Sequence, residues 1–257
     1  MPLAVINSVW IGPTLGLVHA ACLRSFVRLG HRVVLHVYER PADVPDGIEL
    51  ADAAELLPAS KIIRYSRGGS PAITADFLRY EMQREGLGLY VDCDCYCLKP
   101  IEDADYIFGL EATTFIANGV LKLPAGSPIV DDLCRLKDER ALIPPWASAK
   151  RQLYYRWRAR LGFPVKLQDL PWGYTGPFAL TWYLKQYQLN QHASPIDDFY
   201  PVHAAQTSLL LDADLRIEDI TTPRTRLLHL SNEKLKHTDL SQVPASSPLG
   251  VILAAGA

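Results

Sequence analysis

The sequence has no apolar run approaching the roughly 18 residues that a bilayer-spanning helix needs, which excludes a helical membrane protein. It has no surplus of positive charge either. The formal net charge is -2, so there is no electrostatic case for nucleic acid, whose binders carry a marked basic excess. Cysteines are few: Cys22, Cys93, Cys95, Cys97 and Cys134 make an odd five, three of them crowded together. That is no secreted disulfide framework and points to a reducing compartment. Zinc clusters gather four ligands, so the triplet is read as small buried hydrophobes. The N-terminal segment lacks a basic lead-in and breaks its apolar run at Asn7 and Ser8, so it reads as a first strand and not as a signal peptide. Tandem repeats and low-complexity segments are absent. So is a Gly-rich turn after the first strand, which disfavours a sugar nucleotidyltransferase.

What is present is organised as an α/β protein. With 257 residues, 49% of them apolar, the chain can bury a substantial core. Residues 3–11 are rich in β-branched and aromatic side chains and stop at Gly12-Pro13, the pattern of a strand ending in a turn. Leu15, Val18, Cys22, Phe26 and Leu29 then recur at helical spacing before Gly30, and residues 32–38 read as a second strand. This β-α-β opening predicts a right-handed crossover and a parallel pair. Further on, residues 41–47 read as loop, 52–57 as a short helix and 61–65 as a third strand. Ser70-Pro71 opens a helix running to about Glu85. On it Asp76, Arg79 and Gln83 form a polar row, suited to sugar hydroxyls or else a plain exposed ion pair.

The centre of the pattern is Tyr90-Val91-Asp92-Cys93-Asp94-Cys95-Tyr96-Cys97. Extended, it places Asp92, Asp94 and Tyr96 on one face and the three cysteines on the other. Two convergent carboxylates with open positions beside them suit Mg²⁺ or Mn²⁺ and a bound diphosphate, although D-x-D alone also describes a solvated strand end. Residues 106–111 read as a strand, 113–123 as a strand or a hairpin turning at Asn118-Gly119, and 129–136 as helix. Lys150, Arg151, Arg156, Arg158 and Arg160 interleave with Trp146, Tyr154, Tyr155 and Trp157. That stretch fits anionic lipid or an acidic acceptor, or a solvated helix packed by its aromatics. A Gly- and Pro-rich loop at 171–177 leads into a helix whose start either faces a phosphate or is an ordinary capped start. Residues 197–201 read as loop, 225–230 as a late strand carrying His229, and 249–257 as an apolar tail that packs, frays or touches a partner.

In order, Val9-Trp10-Ile11-Gly12, Ala75-Asp76-Phe77-Leu78-Arg79-Tyr80, Gly88-Leu89-Tyr90-Val91-Asp92-Cys93-Asp94 with Lys99-Pro100, and Thr175-Gly176-Pro177 resemble the DXD-containing sugar-transferase family. That family includes bacterial polysaccharide-building glycosyltransferases, yeast-type initiating mannosyltransferases and the glucosyltransferase domains of large clostridial toxins. The resemblance covers residues 4–120 well and thins towards 232. It implies a GT-A type α/β fold, a Rossmann-like mixed sheet flanked by helices. The chain would be one glycosyltransferase domain, 1–257, with a nucleotide-sugar-binding core at 1–138, a helical excursion on the acceptor side at 139–195 and a return to the core at 196–257.

The activity implied is that of a metal-dependent glycosyltransferase taking a UDP-sugar or similar nucleotide-sugar donor to a glycan, lipid-linked or protein acceptor, with retention at the anomeric carbon. Inversion would need a carboxylate base such as Glu111 or Asp198. On the matching positions the resemblance implies that Trp10 stacks on the base and that Asp76 and Arg79 bind the donor sugar. Tyr90, Asn118 and Gly176 complete the donor site. Asp92 contacts ribose and metal, Asp94 ligates Mn²⁺ or Mg²⁺, and His229 is a further metal ligand; Asp92, Asp94 and Arg79 carry the catalysis. Leu87, Thr74 and the lead-in to Trp10 depart from the family pattern. The expected location is cytoplasmic, with peripheral contact at the inner face of a membrane. The alternative is a non-catalytic carbohydrate- or nucleotide-sugar-binding protein on the same fold, which has no physical reason to keep four costly polar groups together.

Overall fold

The structure, a computed structural model, describes residues 2–255. Strands β1 (Ile6–Trp10), β2 (Val33–Val37) and β3 (Ile48–Asp52) pair in parallel, and β4 (Leu89–Val91) joins the other side of β1, also in parallel. Then β7 (Phe115–Lys122) runs antiparallel to β4 and to β6 (Ile107–Ala112), completing a mixed six-stranded sheet in the order β3-β2-β1-β4-β7-β6. After β4 the chain leaves this sheet, and β5 (Cys95–Cys97) pairs antiparallel with β8 (Leu227–His229) in a second, two-stranded one.

Helices cover both faces of the large sheet, the mixed α/β class expected. On one face α2 (Ala72–Arg84), α3 (Pro128–Arg135) and α5 (Pro177–Gln186) bury Ile73, Phe77, Leu133 and Leu180 together. On the other, α1 (Leu17–Arg28) buries Leu23 and Phe26 against Leu35, Leu89 and Val91. The interior strands are buried nearly throughout, and the polar residues in β1 are bonded: Asn7 Nδ2 donates to the Leu87 carbonyl and Ser8 Oγ to the Val91 carbonyl. Helix α7 (Pro248–Ala255) seats Leu249 and Ile252 beside Val18 and Cys22 of α1, so the apolar tail packs as far as it is described; Gly256 and Ala257 lie outside the described residues. No described helix is long and apolar enough to cross a membrane.

This topology fixes where the site lies. The chain moves outward from β1 to β3 and returns to β4 on the opposite side of β1. The carboxyl ends of β1 and β4 therefore flank a switch point, the usual crevice for ligands in open α/β sheets. Trp10 ends β1, and Asp92 lies one residue past the end of β4.

Four sequence expectations are corrected. The third strand is β3 at Ile48–Asp52, not residues 61–65: both backbone groups of Ile63 bond the Thr74 hydroxyl at 2.8 Å, so they need no strand partner. Asn118-Gly119 lies in mid-β7, and the β6-β7 hairpin closes at residues 113–114. A short helix, α6 (Ile196–Phe199), replaces the loop expected at 197–201. The D-x-D segment is not extended: the chain turns at Cys93-Asp94, with Cys95 N–H donating to the Asp92 carbonyl at 3.0 Å. Simple alternation of faces therefore fails there, although all five cysteines are buried and free, as the packing reading required.

Candidate active site

Two residues of α2 form the floor. Asp76 is buried, and its Oδ1 accepts from Asn118 Nδ2 and its Oδ2 from Thr175 Oγ1, each at 2.8 Å. Burial pushes its carboxyl above the usual range, against the pull of Arg79, Thr175 and Asn118. The Arg79 guanidinium lies 4.5 Å over the Tyr90 ring and donates to the Asn118 carbonyl and, at 3.2 Å, to Asp92 Oδ1. Burial opposes its charge, but Tyr90, Asp92 and Asp76 together raise its pKa above the free value. Tyr90 OH also donates to Asp92 Oδ1 at 2.7 Å. One oxygen of Asp92 is thus held from two sides, while Oδ2 takes no hydrogen bond among the described residues.

The second carboxylate is held by β8 and the loop after it. Asp94 Oδ2 accepts the Asn232 N–H at 2.8 Å, and Oδ1 lies 3.3 Å from His229 Nε2. Between them Ser231 sits in the left-handed region (φ 50°, ψ 50°), a conformation that costs energy outside glycine and recurs at functional sites. Burial works against charge on both partners, but their mutual attraction wins: His229 is raised to about 9 and Asp94 held well below the usual carboxylate range. Asp94, Cys95 and His229 each offer a ligand atom within 4.8 Å of the others. Burial and the adjacent carboxylates hold the Cys95 thiol well above its ordinary pKa, so the hard oxygen and the imidazole are the better donors.

These groups line two connected cavities, of about 650 Å³ and 410 Å³, that share Asp92, Asp94, Ala75, Trp172 and Glu233. The larger holds Asp76, Arg79, Asn118 and Glu111; the smaller holds Val9, Trp10, His19 and Tyr90. His19 lies 4.5 Å from the Trp10 ring. Its Nδ1 meets the Leu15 carbonyl at 2.6 Å, which can only accept, so Nδ1 carries the proton and Nε2 accepts from Asn232 Nδ2 at 3.1 Å. Two glycines make room: a Cβ at Gly119 would lie 2.6 Å from Asp92 Oδ2, and one at Gly176 would lie 2.6 Å from Asp76 Oδ1.

The structure brings Trp10, Asp76, Arg79, Tyr90, Asp92, Asp94, Asn118 and His229 to the walls of these two cavities, while Gly176 lines neither and packs against Asp76 and Asn118. Gln83 does not join them: its amide bonds the Gly88 carbonyl and Leu123 N–H and so ties α2 to the sheet. Of the two candidate bases, Asp198 is bound to Arg226 at 2.9 Å and lies outside the cavity wall. Glu111 lines the cavity and has no hydrogen bond or ion pair among the described residues. Tyr200, missed in the sequence, is 2% exposed with an unpartnered hydroxyl at the cavity wall and its ring 5.5 Å from His229. No local periodicity marks it. Trp172 and Lys234, also in the wall, could be suspected only from the tertiary fold.

No protein-family profile and no curated protein matches this sequence. Among solved structures the chain is similar to one titled PaToxG Glycosyltransferase, at 12% identity over 72% of this chain and 70% of that chain, with a TM-score of 0.44. A likeness that loose bears on no side chain's role, which the cleft itself must supply.

Proposed function

We propose that the chain is a metal-dependent glycosyltransferase that moves a sugar from a nucleoside-diphosphate donor, a UDP-sugar in the first instance, to a hydroxyl acceptor with retention. The supporting observation is that Asp94 and His229, with ligand atoms within 4.8 Å of each other, line one cavity together with Asp92, whose Oδ2 is unbonded among the described residues, and with the buried Asp76-Arg79 pair. A carboxylate and imidazole donor set fits Mn²⁺ or Mg²⁺. Held by Asp94 and His229 with Asp92 beside it, the ion would supply Lewis-acid stabilisation of the departing diphosphate.

The chain's own residues do the rest. Trp10 offers an aromatic face in the smaller cavity for the base. Asp76, fixed by Asn118 and Thr175, keeps lone pairs for donor-sugar hydroxyls, and charge-assisted bonds of that kind fix orientation. Arg79 adds positive potential next to the leaving phosphate in a site shielded from bulk water. The unpartnered Tyr200 hydroxyl can donate to a ligand oxygen. Glu111, free of partners, faces the space left for the acceptor and can take a hydrogen bond from its hydroxyl.

The test is a donor screen: purified protein with each common nucleotide sugar and Mn²⁺ or Mg²⁺, following nucleotide release, with Asp94→Asn in parallel. Metal-dependent release from one donor, lost in Asp94→Asn, supports the transferase. Nucleotide-sugar binding without release in any pairing would favour the non-catalytic binding protein.

A further inference from the structure

Helix α4 (Ala149–Arg160) is turned inside out for a soluble protein. Leu153, Trp157 and Leu161 recur at i, i+4 and i+8, with Tyr154 beside them, on the side opposite Tyr155, the helix's one buried residue. With Phe163 in the turn that follows, these side chains are between 47% and 68% exposed. The apolar stripe thus faces outward, and contiguous exposed apolar surface of this kind marks an interaction site.

Its charge is one-sided. Between Arg140 and Gln168 the sequence has seven basic and no acidic side chains, in a chain whose net charge is -2. None of the seven has an ion-pair partner among the described residues. Lys150, Arg156 and Arg160 flank the outward stripe, while Arg151 and Arg158 turn towards Tyr174, Tyr154 and the Phe163 carbonyl.

From these observations we infer that α4 and the turn behind it dock in the headgroup layer of an anionic bilayer. At 12 residues the helix is too short to span the hydrocarbon, but it can lie in the interface with Leu153, Trp157, Leu161 and Phe163 inserted and the basic side chains among lipid phosphates. Trp and Tyr favour that depth because one end of the ring system is apolar and the other polar. A second copy of this chain fits less well, since a two-fold contact centred on α4 would set its arginines against each other. The inner side of the same helix leads to the cleft: Pro171 lines the groove beside Arg151, Tyr155 and Arg158, and the next residue, Trp172, forms part of the cleft wall. Resting on the transferase reading, this placement favours a lipid-borne acceptor presented at the membrane surface.

The test reads binding, not turnover, so its outcome is independent of that reading. The full chain is sedimented with phosphatidylcholine vesicles alone and with vesicles containing phosphatidylglycerol, and tryptophan emission is followed. Expected is partition onto the anionic vesicles only, weakened by salt, with blue-shifted emission. Leu153→Gln/Trp157→Gln/Leu161→Gln and Arg156→Glu/Arg160→Glu should each lower partition at least about tenfold with an unchanged thermal midpoint. No partition of the parent protein, or equal partition of both variants, overturns the inference. So does a dimer in solution that these substitutions dissolve in the absence of vesicle binding, or binding to an acidic protein alone.

Discussion

Gly119 leaves empty the volume that the Asp92 carboxylate occupies, for a Cβ there would come within 2.6 Å of Asp92 Oδ2. Gly119→Ala should therefore swing the carboxylate away from Arg79 and Tyr90 and lower metal-dependent nucleotide release roughly 10²-fold. The strain should cost only about 1–3 kcal/mol of stability. Steady-state kinetics beside urea unfolding would separate the two; unchanged turnover would mean that Asp92 is not poised as described.

Arg79 sits between two carboxylates with little access to water. Arg79→Met leaves Asp76 and Asp92 without their cation and should destabilise the fold by about 3–5 kcal/mol. Arg79→Lys keeps the charge but cannot bond the Asn118 carbonyl and Asp92 with one planar fork, so its loss should fall between the parent and Arg79→Met. Equilibrium urea unfolding at neutral pH measures both.

Without metal, stability should fall at alkaline pH through His229. Its folded pKa of about 9 exceeds the ordinary 6.5, so the stabilisation is complete below 6.5 and lost as pH rises through 9. The loss should reach up to about 3 kcal/mol, and His229→Asn should flatten it. The measurement is urea unfolding in chelator across pH 6 to 10.

His36 gives the opposite slope. Buried, with Nε2 donating to Asn7 Oδ1 at 2.9 Å, it is held neutral with its pKa lowered by burial to about 4. The unfolded chain binds a proton below about 6.5 and the folded chain does not, so stability should decline between pH 6.5 and 4. His36→Gln should remove that slope even if it lowers stability at neutral pH.

Glu111→Gln should reduce kcat/KM about tenfold, mainly through KM for the acceptor, with the anomeric configuration of the product unchanged. An inverted product together with near-complete loss of kcat would instead make Glu111 the base of an inverting enzyme. Product stereochemistry by NMR decides.

Much of this architecture is legible locally. The β-branched and aromatic segment around β1, the spacing of α1, and Asp76 with Arg79 on α2 announce themselves because their patterns match the elements they form. Where reading fails, a distant group has decided the outcome. Ile48–Asp52 alternates weakly because β3 is an edge strand with no fully buried residue: Ile48, Leu50 and Ala51 are half-buried, and Glu49 and Asp52 are exposed. Asn118-Gly119 has the composition of a hairpin turn, yet Gly119 is there for Asp92 and Asn118 for Asp76. Gln83 matches the helical row by spacing, but backbone groups near Gly88 and Leu123 claim its amide. Tyr200 has no local signal because its surroundings come from distant strands, Gly119 of β7 and His229 of β8.

The turn at Cys93-Asp94 has one more consequence. Asp92 lies just past a strand of the large sheet, whereas Asp94 leads into a strand paired only with β8, so the two carboxylates ride on different sheets. A ligand grasping both would act as a clasp between the two sheets, slowing amide exchange in the loop after His229, whose Asn232 N–H already bonds Asp94.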